Sequence, residues 1–149
     1  MTIALLFSVL AVTLSACGGA VPAASSGSGD LKFAPESILP EVIRNNAAPQ
    51  VKEAYRFAAA NPDVLSKYPC YCGCGAMGHK SNLDCYVKQA NADGSIVFDD
   101  HAYGCSICVD ITQDVMRLMR EGRAAREIRA YIDATYSRYG PGTDTQPVE

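Results

Sequence analysis

Residues 69–85 read PCYCGCGAMGHKSNLDC, and residues 101–108 read HAYGCSIC. Six of the seven cysteines and both histidines of the chain fall within these two runs. Cys70, Cys72 and Cys74 alternate, Cys85 follows, and Cys105 and Cys108 form a Cys-x-x-Cys pair. Alternate side chains of an extended segment point to opposite sides, so three thiols at this spacing reach disulfide partners only if those partners surround the segment. A curled loop is easier to build. Gly73 and Gly75 are expected to carry the backbone through positive φ, so that two or three thiolates converge on one ion. An even number of cysteines in an exported chain also permits a disulfide framework, which stays open as the alternative.

Working outward, helical signals flank this centre on both sides. One short helix is expected over Pro35–Asn46 and a second over Pro49–Ala60, where Val51, Ala54, Tyr55 and Ala58 recur at helical spacing. Asn61-Pro62 supplies an N-cap and first-turn pair for a brief helix ending near Tyr68, where Pro69 stops it. Within the centre, residues 91–94 predict a turn and Ile96–Phe98 a short strand. Ile111, Val115, Leu118 and Met119 make one apolar stripe, Gly122 interrupts, and Ile128, Ile132 and Tyr136 make another. Gly140-Pro141-Gly142 ends the helical region. The fold class is therefore mainly α: a small helical domain over residues 31–140 with a cysteine-rich irregular centre, followed by a disordered polar tail at 141–149.

A chain of 149 residues, 48% hydrophobic and 19% charged, holds one globular domain with tails. Its net charge of −3 and lack of a basic run argue against nucleic acid as a partner. The uncharged stretch Thr2–Ala16 is too short to span a bilayer as an ordinary helix and has the length and small-residue ending of a secretory signal, here assigned to residues 1–16. Its end, Leu14-Ser15-Ala16-Cys17, resembles the lipobox of bacterial lipoproteins, in which cleavage precedes a cysteine that is then lipidated. Cys17 is the expected lipidation site. The Gly, Ala and Ser rich run behind it makes residues 17–30 a flexible tether. These features place the protein at the cell membrane or envelope, lipid-anchored on the extracytoplasmic face.

Cys105 and Cys108 open the predicted helix that carries Ile111, where unpaired N–H groups and the helix dipole stabilise a thiolate. A thiolate so placed either ligates metal or attacks disulfides. Thiol–disulfide exchange by Cys105 and Cys108 is thus the runner-up to metal binding, with Cys105 the more exposed attacker. Val109 in place of histidine excludes a c-type haem site. His79 and His101 sit beside the cysteines and add nitrogen donors. The candidate metal ligands are Cys70, Cys72, Cys74, His79, Cys85, His101, Cys105 and Cys108. Cys72, Cys74, Cys105 and Cys108 form the expected first set; Cys70 and Cys85 hold a second ion or pair as a disulfide. Tight cysteine runs favour soft ions, copper as Cu(I) foremost, with zinc the alternative. Met77 is a weaker candidate, and Met116 and Met119 are expected in the core. No acid–base pair, phosphate loop or nucleophile elbow is evident, so binding is expected rather than catalysis.

The run Pro69-Cys70-Tyr71-Cys72-Gly73-Cys74, with Gly78-His79, Cys85, Phe98-Asp99-Asp100-His101 and Cys105-Ser106-Ile107-Cys108, resembles the bacterial PCYCGC-motif lipoproteins over about Ala54 to Tyr136. That resemblance implies a lipid-anchored extracytoplasmic protein with a metal role; a metal donor or acceptor protein is the expected partner of the metal-binding reading. A second likeness covers the last third. Cys105-x-x-Cys108 followed by Glu121-Gly122, Glu127-Ile128, Tyr131-Ile132 and Tyr139-Gly140 is similar to the small helical thiol reductases of cytochrome c maturation.

Overall fold

The computed structural model describes residues 31–148; the expected signal segment, the expected lipidation site Cys17 and the expected tether lie outside the described residues. Among the described residues are five α-helices and one two-stranded sheet, so the mainly α reading holds.

The helix expected over Pro35–Asn46 is divided. A 3-10 turn, Glu36–Ile38, precedes α1, Glu41–Asn46. Pro40 explains the break: its ring disfavours helical backbone in the residue before it, and Leu39 is extended at φ −66°, ψ 145°. Helix α2, Pro49–Ala60, starts on its proline and buries Ala54, Tyr55, Phe57 and Ala58. Helix α3, Pro62–Leu65, stops three residues before Tyr68, and the Asn61 side chain does not cap it. Instead the Asn61 amide donates to the carbonyls of Phe57 and Lys32, each at 2.8 Å, closing the end of α2 against the segment before it.

After the cysteine loop, β1 (Val87–Ala90) pairs antiparallel with β2 (Ile96–Phe98), Val87 facing Phe98 and Ala90 facing Ile96. The predicted turn joins them, with Gly94 N–H donating to the Asn91 carbonyl at 3.0 Å. The chain then forms α4, Ser106–Arg120, and α5, Ala125–Tyr136. Helix α4 is the central element, packing against both α2 and α5. It buries Ile111, Val115 and Leu118 as the stripe requires, together with Cys108 and Met116, while Met119 is only partly buried. From α5, Ile128, Ile132 and Tyr136 complete that side of the core. No helix among the described residues is long and apolar enough to cross a membrane.

The expectation of a disordered tail from residue 141 is corrected. Residues 141–148 turn back over the cysteine loop, Thr143 is buried, and the Thr145 hydroxyl donates to the Lys80 carbonyl. Polar composition alone does not decide disorder when each polar group finds a partner. At Gly142 the strap passes so close to Tyr71 that a Cβ would lie 3.0–3.3 Å from the ring, and the Tyr71 hydroxyl, donating to Asp133 at 2.6 Å, keeps that ring from moving aside.

Candidate metal centre

The loop that carries Cys70, Cys72 and Cys74 is held from two directions. Cys70 N–H donates to Thr143 Oγ1 at 3.0 Å, and Thr143 N–H donates back to the Cys70 carbonyl at 2.9 Å. Tyr71 reaches the other way to Asp133 on α5, which also receives Arg129 Nε at 3.0 Å. Between these anchors the backbone curls at Gly73, with φ +85°, into a 3-10 turn over Cys74–Met77, and leaves it at Gly78, with φ +92°. Both conformations favour glycine. Gly75, expected to share this task, does not adopt positive φ, and Gly78 performs it.

The curl gathers the sulfurs. Cys70 Sγ lies 3.3 Å from Cys72 Sγ and 3.5 Å from Cys108 Sγ, Cys72 lies 3.6 Å from Cys108, and Cys74 lies 3.6 Å from Cys85. His101 Nε2 stands 3.2 Å from Cys72 Sγ. All six cysteines are free thiols, and no disulfide joins them. The donor atoms fall into two groups, each with every member within 4.8 Å of the others: Cys70, Cys72, Cys74 and Cys85, and Cys72, His101, Cys105 and Cys108. Around an ion with metal–sulfur bonds of about 2.3 Å, a tetrahedron of sulfurs has edges of about 3.8 Å, so these spacings suit four-coordinate binding. The grouping differs from the expected first set, because Cys74 sits with Cys70 and Cys85 rather than with Cys105 and Cys108. His79 joins neither group; its Nδ1 lies 3.5 Å from Cys85 Sγ.

A polar network behind Cys108 fixes its backbone. The Asn82 amide donates to Thr112 Oγ1 at 2.7 Å, Thr112 donates to the Tyr86 hydroxyl at 2.8 Å, and that hydroxyl donates to the Cys108 carbonyl at 2.8 Å. Asn82, Tyr86 and Thr112 are fully buried, so the chain of bonds is rigid and shielded from water. Partners of this kind set the orientation of metal ligands. Sequence reading missed all three, and Thr143 with them. Thr112 carries the one usable signal, since four residues after Cys108 on a helix it faces the same side.

The Cys108 thiol is pulled down to about 6, first by the hydrogen bond from Cys70 and then by one from Cys85, against the desolvation of burial. Cys108 also lies in the first turn of α4, where the helix dipole favours an anion. Burial, then the negative charge on Cys108, pushes the Cys72 thiol up, and Cys85 is held up by its neighbours Cys108, Cys70 and Cys74. The Cys70 thiol, raised by its hydrogen bond with Cys108 but lowered by those with Cys74 and Cys85, also ends below its ordinary value, so negative charge in the set falls on Cys70 and Cys108. Further thiolates require a cation among them.

One side of the cluster opens outward. The His79 and His101 rings meet edge to face with centroids 5.4 Å apart, and beyond them lies a cavity of about 550 Å³ bordered by Met77, Lys80, Asp99 and Asp100. Asp99 organises this wall: its Oδ1 accepts the His101 backbone N–H at 2.8 Å, and its Oδ2 lies 3.9 Å from His79 Nε2. Its backbone is fixed in turn, because the Tyr55 hydroxyl donates to the Asp99 carbonyl at 2.8 Å. The weaker candidate Met77 is 59% exposed on the rim.

A small helical domain closed around free cysteines and one histidine, His101, that could hold a metal is the class this site defines. Residues 6–148 match the model of a family described as proteins of unknown function with a PCYCGC motif, and the chain belongs to that family. No curated protein and no solved structure matches it.

Proposed function

We propose that the protein is a lipid-anchored, extracytoplasmic metal-handling protein that binds soft ions, Cu(I) foremost, on its cysteine and histidine cluster and exchanges them with a donor or acceptor protein. The observation that carries this reading is the convergence of six free thiols and the His101 imidazole into two four-donor groups. Thiolates and imidazole select soft and borderline ions over magnesium or calcium. Zinc is the second reading, favoured by the near-tetrahedral spacing of each group. Thiol exchange by Cys105 and Cys108 has one supporting observation, the lowered Cys108 thiol. That sulfur is fully buried, however, so the attacker would have to be the half-buried Cys105, which sits in a four-donor group with Cys72, His101 and Cys108.

Anaerobically purified protein challenged with Cu(I) against a coloured competing chelator is expected to retain the ion. The half-buried thiols of Cys72 and Cys105 should react with an alkylating reagent before loading and resist it afterwards, and all six should react once the unloaded protein is denatured. Six oxidised sulfurs with no retained copper would overturn the proposal. The anchor has a separate test. Cys17→Ser should release the mature domain from membranes with its melting temperature unchanged, because the buried core assembled by the described residues runs from Leu39 to Tyr136. Membrane retention equal to that of the parent would contradict the lipid anchor.

A further inference from the structure

We infer that the centre takes two metal ions joined through the thiolate of Cys72, an inference that rests on the metal-binding reading above. Cys72 is the one residue common to the two four-donor groups. One four-coordinate ion needs four donors, whereas the two groups together offer seven, each from a distinct side chain. The groups also interlock: Cys70, Cys72 and Cys108 form a triangle with sides of 3.3, 3.5 and 3.6 Å, so a sulfur from either group touches the other. A thiolate has lone pairs enough to ligate both ions. Sharing it lowers the number of thiolates per ion, and with it the negative charge left uncompensated in a buried place.

The two positions differ in a way that sets their behaviour. Cys70, Cys74 and Cys85 are buried, so the all-sulfur position lies inside the hydrophobic core. The other position has an imidazole donor, and its Cys105 and His101 are only half-buried, with His101 on the wall of the open cavity. The ion on the His101 side is therefore the exchangeable one, and the all-sulfur ion is retained while its neighbour comes and goes.

The test uses cadmium-113, a soft divalent ion whose nuclear spin reports its ligands. Protein loaded to saturation should hold two ions by native mass spectrometry. Its spectrum should show two cadmium resonances, one from an all-sulfur environment and one displaced by the nitrogen donor, split by coupling to each other through the shared sulfur. His101→Ala should abolish or move the displaced resonance and leave the all-sulfur one in place, and a limiting amount of chelator should remove the displaced one first. Retention of a single ion, or of two ions without mutual coupling, would overturn the bridge and leave metal binding standing. Retention of no ion would overturn both.

Discussion

Replacing Cys72 with serine is expected to weaken Cu(I) retention by at least about a hundredfold, the upper end of what even an indirect supporting residue costs a metal site. It should be the most damaging single change in the cluster. Each of Cys70, Cys74, Cys85, Cys105 and Cys108 belongs to one four-donor group, and Cys72 belongs to both. A serine oxygen is a poor substitute for a soft ligand, so Cys72→Ser degrades both positions while Cys85→Ser or Cys105→Ser degrades one. Competition with a chromophoric Cu(I) chelator under anaerobic conditions gives the ranking. Equal losses for Cys72→Ser and Cys85→Ser would contradict the special standing of Cys72.

Stripping the ion should also cost the fold. A Cu(I)-selective chelator under reducing conditions is expected to lower the melting temperature by about 15 °C or more, given binding that contributes several kcal/mol to folding and about 4 °C per kcal/mol for a domain of this size. Cys70, Cys74, Cys85 and Cys108 are members of the hydrophobic core, packed with Tyr68, Tyr71 and Tyr86, so the loss of an ion is a change inside that core. The effect depends on pH in a fixed direction. Cys108 is a thiolate above about pH 6 and the Cys70 thiol is lowered as well, whereas the thiols of Cys72 and Cys85 are held in their protonated form until an ion displaces their protons. Retention should therefore fall as pH falls, most steeply once Cys108 itself is protonated. A melting temperature that is indifferent to chelation would mean that no ion sits within the core.

What could be read beforehand follows from physical range. The apolar stripe through Ile111, Val115 and Leu118 and the one through Ile128 and Ile132 were legible because helical periodicity is local. So was the donor inventory, since the thiols and imidazoles announce themselves by residue type. Their grouping was not legible. Cys74 pairs with Cys85 because the loop curls at Gly73 and Gly78, and His101 meets Cys72 because the hairpin of β1 and β2 returns the chain to the cluster. Strand β1 itself was missed, since Lys88, Gln89 and Ala90 are exposed and carry no alternation of apolar and polar residues. Asn82 looks like any loop asparagine until it is seen to be fully buried against Thr112. Thr143 sits in a stretch whose composition signals disorder, and only the paired hydrogen bonds to Cys70 show otherwise.

Those paired bonds also bear on time. A chain synthesised from its N-terminus releases Cys70 before Thr143, so the seat of the first cysteine is finished only by a residue 73 positions further on. During that interval the thiols face whatever oxidant the compartment holds, without the strap that later covers them. Wrong disulfides are then a matter of which arrives first, oxidant or ion. An ion bound early closes the cluster before the strap docks. Limiting the soft metal during growth would in that case leave its mark as mispaired, poorly folded protein, beyond the empty sites expected of a simple carrier.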